Sequence, residues 1–302
     1  MKNAAIINQV LILTLIILVG FYARKRNIIN EKISKGLSDI LLEITLPLLI
    51  ISSFNYKFSR DMMLGSIKIF IYSFIIHIVL IFLSKIFLCR FKGDKQKILR
   101  AVMIFCNSGF MGYPVIESIY GKIGVFYTAI FNVPFNLILF SYGAMLFSGR
   151  KDKKGVLKAF AGSGNIAVYI GLIIFIFSIN IPKPIYSAIN MVGSMTTPLS
   201  MIIVGSMLAE QKAKEVFSEI SIYYVSLLRL IAAPLISFVV LKLMHADALL
   251  VQISVMIEAM PGAVLVAVFA QKFNLDAKYA SKAIFITTFL SIFTIPIVYM
   301  LL

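Results

Sequence analysis

Charge is scarce in this chain. Only 14% of its 302 residues are Asp, Glu, Lys or Arg, whereas 60% are hydrophobic. A soluble globular chain carries about 25% charged and roughly 45–50% apolar residues. The shortage excludes a fold solvated mainly by water and points to lipid. Acidic groups are the scarcer kind, 13 against 29 basic ones. Histidine and cysteine number two each. His77 and His245 are too few for a metal cluster or a Ser-His-Asp set, so neither an enzyme nor a cofactor is expected. Cys89 and Cys106 make no disulfide framework. Long polar stretches are missing too, which leaves no room for a soluble catalytic or output domain. The short "GSGN" at Gly162–Asn165 reads as a helix cap, not as a nucleotide loop.

The chain does have apolar runs, at about 4–22, 37–54, 62–89, 98–120, 123–148, 164–181, 185–209, 220–244, 247–270 and 279–302. A membrane helix needs about 20 such residues. The pattern predicts an all-α integral membrane protein with ten spans in one transmembrane domain, 1–302. Lys2 stands alone before the first run and Arg24, Lys25 and Arg26 follow it. That pattern predicts a retained helix, not a cleaved signal.

The net charge of +16 is explained by topology and anionic lipid, not by nucleic acid. Basic residues crowd the odd-numbered connections, at 24–35, 85–100 and 150–158, with Lys212, Lys214, Lys272, Lys278 and Lys282 on the same side. The other side holds Lys2, Lys57, Arg60, Lys122, Lys183 and Lys242. Positive charge stays inside. Both termini are therefore expected outside the cytoplasm, in a multi-pass protein of the cytoplasmic membrane.

The halves resemble each other. Thr45–Pro47 in the second run matches Thr196–Pro198 in the seventh, and Pro114 in the fourth matches Pro261 in the ninth. Five spans per half is odd, so two repeats, about 1–150 and 160–302, would insert with opposite orientation. Within "FCNSGFMGYPVIE" (105–117), Gly109, Gly112 and Pro114 are expected to unwind a turn of helix 4. "EAMPGAV" (258–264) marks a second break. Unpaired backbone in hydrocarbon costs several kcal/mol per group, so a break survives only inside protein or beside a cavity. Glycines that merely allow close helix packing would not account for Pro114, Asn107 and the break at Pro261. Crossed half-helices near the midplane make the substrate sites of secondary transporters, and a half-helix N-terminus suits an anion.

"NSGFMGYP" resembles the Asn-(Ser/Thr)-x-x-x-Gly-x-Pro crossover of the auxin efflux carrier family, which includes bacterial malate or malonate permease-like members. "AMPGAVLVAVFAQKFNLD" resembles the family's second crossover, "RLIAAP" (Arg229–Pro234) its eighth helix, and "GFYARKRNIIN" its first cytoplasmic loop. The resemblance implies two inverted five-helix repeats with crossed broken helices 4 and 9, similar to sodium/proton antiporters and bile-acid symporters. Helices 1, 2, 6 and 7 would form a scaffold, and helices 3–5 and 8–10 a core. The link between the halves is short, which favours a bacterial-type carrier and places auxin itself in doubt.

The expected function is secondary transport of a small organic anion, a mono- or dicarboxylate, auxin-like or malate-like, by elevator-type alternating access. The substrate residues would be Asn107, Ser108, Gly109, Gly112, Pro114, Met260, Pro261 and Gly262, with Asn132 and Asn136 either lining the cavity or tying helices together. Glu258 has two readings: coupling to a proton or sodium ion, or structural pairing with Arg229. Glu43 and Glu117 are read as structural groups near helix ends, and His77 as a packed, hydrogen-bonded histidine. A sodium- or proton-coupled cation antiporter is the alternative, and a sensor without transport a third. Lipid is the expected environment, and a homodimer is allowed.

Overall fold

The computed structural model describes residues 2–149, 160–210 and 219–302. The basic stretch 150–158, Lys212 and Lys214 lie outside the described residues. Within the described residues the regular elements are all helical. They are α1 (Lys2–Lys25), α2 (Glu31–Ser53), α3 (Arg60–Phe87), α4 (Gly93–Ile104), α5 (Ser108–Ser148), α6 (Ser163–Ile176), α7 (Lys183–Ala209), α8 (Ile220–Leu243), α9 (Ala248–Glu258), α10 (Leu265–Lys272) and α11 (Ala277–Leu301). Six of them, α2, α3, α5, α7, α8 and α11, are long and apolar enough to cross a membrane. Two expected runs are divided between helices. Run 98–120 falls on α4 and the start of α5, and run 247–270 on α9 and α10.

Local chemistry explains the helix boundaries. The Asn30 side chain accepts from the Ile33 N–H at 2.9 Å, and Asp276 accepts from Tyr279 at 2.8 Å; both cap an orphan donor at a helix start. α2 therefore begins well before the apolar run, and Glu43, which is exposed, lies in mid-helix. Gly121, at φ 60°, breaks α5 into two limbs at the expected boundary between runs. Only glycine adopts that conformation without strain.

Three five-residue π-helical turns each end two residues before a proline. Leu41–Thr45 precedes Pro47, Ser108–Gly112 precedes Pro114, and Leu228–Ala232 precedes Pro234. Proline has no N–H to give the carbonyl four residues earlier, and its ring presses on that carbonyl. Widening one turn relieves both problems without ending the helix. The released Phe110 carbonyl accepts from the Ser200 hydroxyl.

The described residues divide into two compact units. The first comprises 2–70, 109–133 and 160–210; the second comprises 71–108, 134–149 and 219–302. In the first, α1 and α7 pack backbone to backbone. A Cβ on Gly20 would run into the Ile202 carbonyl, and one on Gly205 into the Ile17 carbonyl. Small residues permit this approach where no hydrophobic effect drives helices together. Gly193 likewise lets α7 approach Leu49 of α2. Rings of Phe54, Phe126 and Phe175 fill the space beside α6, with centroids 4.5 and 5.4 Å apart. In the second unit Lys95 and Glu219 pair at 2.8 Å on the surface. Phe269 of α10 stacks edge-on against Phe140 and Phe147 of α5.

Candidate functional site

The second unit contains two buried helix ends with nothing helical directly after them. α4 stops at Ile104, and α9 stops at Glu258. Four C-terminal carbonyls of any helix lack intrahelical partners. In a buried place they must find others.

The two interruptions supply partners for each other. The Asn107 N–H donates to the Pro261 carbonyl at 2.7 Å, and the Ala263 N–H donates to the Phe105 carbonyl at 2.9 Å. Cys106 and Gly262 thus face each other in a two-residue antiparallel bridge. The Gly262 N–H reaches the Thr287 hydroxyl of α11 at 3.2 Å. A Cβ on Gly262 would meet Val102 Cγ1 at 3.0 Å, so a side chain there would press against α4.

The unwound residues are therefore Phe105–Asn107, earlier than the Gly109–Pro114 segment where the sequence predicts a break. Glycines 109 and 112 and Pro114 widen the helix into a π turn instead. Residues 105–107 contain no strong helix breaker. Pairing with 261–263, not local propensity, holds them extended.

Arg229 closes the other orphan groups. It sits in the π turn of α8 and is fully buried. Its Nη1 donates to the Met103 and Ile104 carbonyls at 2.8 and 3.2 Å. Its Nη2 donates to the Glu258 carbonyl and to Glu258 Oε2, the latter at 2.5 Å. One guanidinium thus caps the C-termini of both α4 and α9. Its charge opposes the negative ends of both helix dipoles.

Glu258, also fully buried, has its second oxygen, Oε1, 3.4 Å from His77 Nε2 of α3. The His77 ring packs edge-on against Phe135 and bonds the Ser73 carbonyl through Nδ1 at 2.6 Å. A packed histidine is thus what the structure contains. Its contact with Glu258 was missed, although a lone histidine in one span and a lone glutamate in another were visible signals.

Of the expected substrate residues, the second unit brings together Asn107, Met260, Pro261 and Gly262 at the bridge, all buried, with buried Ser108 next in sequence. Asn136 belongs to the same unit and is half-buried. Gly109, Gly112, Pro114 and Asn132 belong to the first unit. There Gly109 approaches Leu42, and Asn132 hydrogen-bonds the Tyr113 hydroxyl while its Oδ1 has no hydrogen-bond partner. Glu117, near the Gly121 break, accepts from Thr197 at 2.6 Å. Among the described residues no group of three or more His, Cys, Asp and Glu could hold a metal.

A profile of a family described as membrane transport protein matches residues 5–164 and 156–299. The chain belongs to that family. It is the family of the auxin efflux carriers that the Asn107–Pro114 stretch resembles. An uncharacterized transporter of Methanocaldococcus jannaschii is 28% identical to this transport protein over 95% of this chain and 96% of its own. Another, from Methanothermobacter thermautotrophicus, is 25% identical over 95% of each. The uncharacterized transporter YfdV of Escherichia coli is 22% identical over 96% of each. With its apolar helices, the transport protein is a multi-pass membrane protein of a transporter family, which is not an enzyme class.

Proposed function

We propose that this transport protein is a secondary carrier for a small organic anion, a mono- or dicarboxylate. The observation that carries the reading is the pair of interrupted helices bridged through Cys106 and Gly262. Interrupted helices are otherwise a liability in a membrane, and they recur where a carrier binds its cargo. α10 starts at Leu265, just past the bridge, and the positive end of its dipole suits an anion. Asn107 and Ser108 add side-chain donors at the bridge. Arg229 is committed to three carbonyls and Glu258. It therefore supports the site and does not bind the cargo. The sequence pattern supports ten spans in two inverted repeats with both termini outside the cytoplasm, and the resemblance to the auxin efflux carriers implies elevator-type movement of spans 3–5 and 8–10 against spans 1, 2, 6 and 7. Glu258 is the ion-coupling residue in this scheme. Its charge is already balanced by Arg229, which favours anion transport over cation antiport.

The test is exchange of radiolabelled malate, malonate and indole acetate in proteoliposomes. At least one should exchange, and Asn107→Ala should weaken its binding by about 10- to 150-fold, the value of a hydrogen bond to a charged group. No exchange of any carboxylate would sink the reading. Unchanged affinity and rate in Asn107→Ala would remove that residue from the site.

A further inference from the structure

The His77–Glu258 contact has a definite proton requirement. The His77 Nδ1 lies 2.6 Å from the Ser73 carbonyl oxygen. A carbonyl only accepts, so Nδ1 must carry a hydrogen. That assigns the tautomer. Nε2, across the ring, is then either a bare lone pair or a second N–H. It faces Glu258 Oε1 at 3.4 Å, too close for a water between them. Among the described residues Oε1 has no other hydrogen-bond partner, while Oε2 is held by Arg229.

A bare Nε2 would set two acceptors against each other between fully buried side chains. One proton between them removes the conflict. It sits on Nε2 as an N–H donated to the carboxylate, or on Oε1 as an O–H donated to the imidazole. Glu258 comes from α9, Arg229 from α8 and the buried Cys106 thiol from the bridge, and the uncharged Phe135 ring packs from α5. With the proton, His77, Glu258 and Arg229 together carry one net positive charge; without it they are neutral.

We propose that His77 Nε2 and Glu258 Oε1 form a binding site for one exchangeable proton, and that this proton is the ion coupled to movement of the anion. The second half rests on the carrier reading; the first does not. The site lies directly behind the bridge, because Glu258 is three residues from Pro261, the acceptor for Asn107. A proton there adds positive charge beside a bound carboxylate, so each favours binding of the other, and the linkage is reciprocal. The step forms one N–H or O–H bond as one O–H bond of a hydronium ion breaks and leaves water; no oxidation state changes. Proton and anion would then cross in the same direction. The imidazole gives the pair a second atom able to take a proton.

The chain has only two histidines, His77 and the exposed His245, so a nitrogen-15 histidine spectrum is readable without crowding. The full-length protein would be labelled and placed in lipid nanodiscs, with His245→Gln assigning the peaks. Between about pH 5 and about pH 8, His77 should keep Nδ1 protonated throughout while the Nε2 signal shifts as a proton joins and leaves the pair. Its midpoint should move in Glu258→Gln. A bare Nδ1, or a His77 spectrum that does not change over this range, overturns the site, and the parent protein decides this even if Glu258→Gln does not fold. In proteoliposomes, the ratio of pH-gradient-driven malate or malonate uptake to exchange should fall at least about fivefold in His77→Gln, the lower end of ordinary coupling. An unchanged ratio overturns the coupling. Absence of any exchange by the parent sinks the carrier reading and the coupling with it, while the nitrogen spectrum judges the proton site by itself.

Discussion

At the scale of residues, Arg229 carries the most structure per side chain. It neutralises Glu258 and satisfies the carbonyls of Met103, Ile104 and Glu258, all without exposure to water. Removing one partner of a buried pair costs about 3–5 kcal/mol, whereas replacing both by apolar groups is often neutral. Arg229→Met should therefore destabilise the protein by about that amount. The double variant Arg229→Met/Glu258→Leu should recover only part of the loss, because three carbonyls remain without a donor. Thermal denaturation in detergent, arranged as a double-mutant cycle, measures both. Full recovery in the double variant would mean that the ion pair matters and the capping does not. Each residue of this cluster was conspicuous in the sequence as an isolated polar group in an apolar run. Pairing of Glu258 with Arg229 was one of the two readings the sequence offered; the approach of His77 was not legible, since α3 is far from α8 and α9 along the chain and nothing local brings it to them.

At the scale of elements, prolines and glycines have separate effects. Pro47, Pro114 and Pro234 widen helices into π turns without ending them. Their influence was legible from the sequence, but its form was not. The sequence predicts unwinding at Gly109–Pro114, yet the extended residues are Phe105–Asn107, held by partners about 155 positions away along the chain. Glycines mark close helix contacts only where another backbone arrives. Gly20→Ala should cost about 1–3 kcal/mol by overpacking α1 against α7. Gly36→Ala is the contrast. That glycine is exposed in α2 with no atom within 4 Å of an added Cβ. The substitution should leave stability unchanged or raise it by up to about 1 kcal/mol through helix propensity. Melting temperatures of the two variants in one detergent give the comparison, and equal shifts would refute the packing argument.

At the scale of the whole molecule, the asymmetry of basic residues predicts orientation. Lys183 at the start of α7 and Lys272 at the end of α10 are both exposed and should lie on opposite sides of the membrane. Cys89 is exposed and Cys106 is buried, so a background lacking Cys89 suffices. In intact cells an impermeant thiol reagent should label Lys183→Cys and spare Lys272→Cys until the membrane is opened. The reverse labelling pattern would invert the topology.

The sequence by itself determined the solvent, the helical class, the apolar runs and the neighbourhood of both interruptions. Each follows from composition or local covalent chemistry, as scarce charge demands lipid and a missing proline N–H disturbs its own helix. Tertiary structure alone decided which backbone groups pair across the interruptions, which carbonyls Arg229 caps and which histidine faces Glu258. These are contacts between segments remote in the chain. They are imposed by the need to satisfy every buried donor, acceptor and charge, and that need selects partners by position in space.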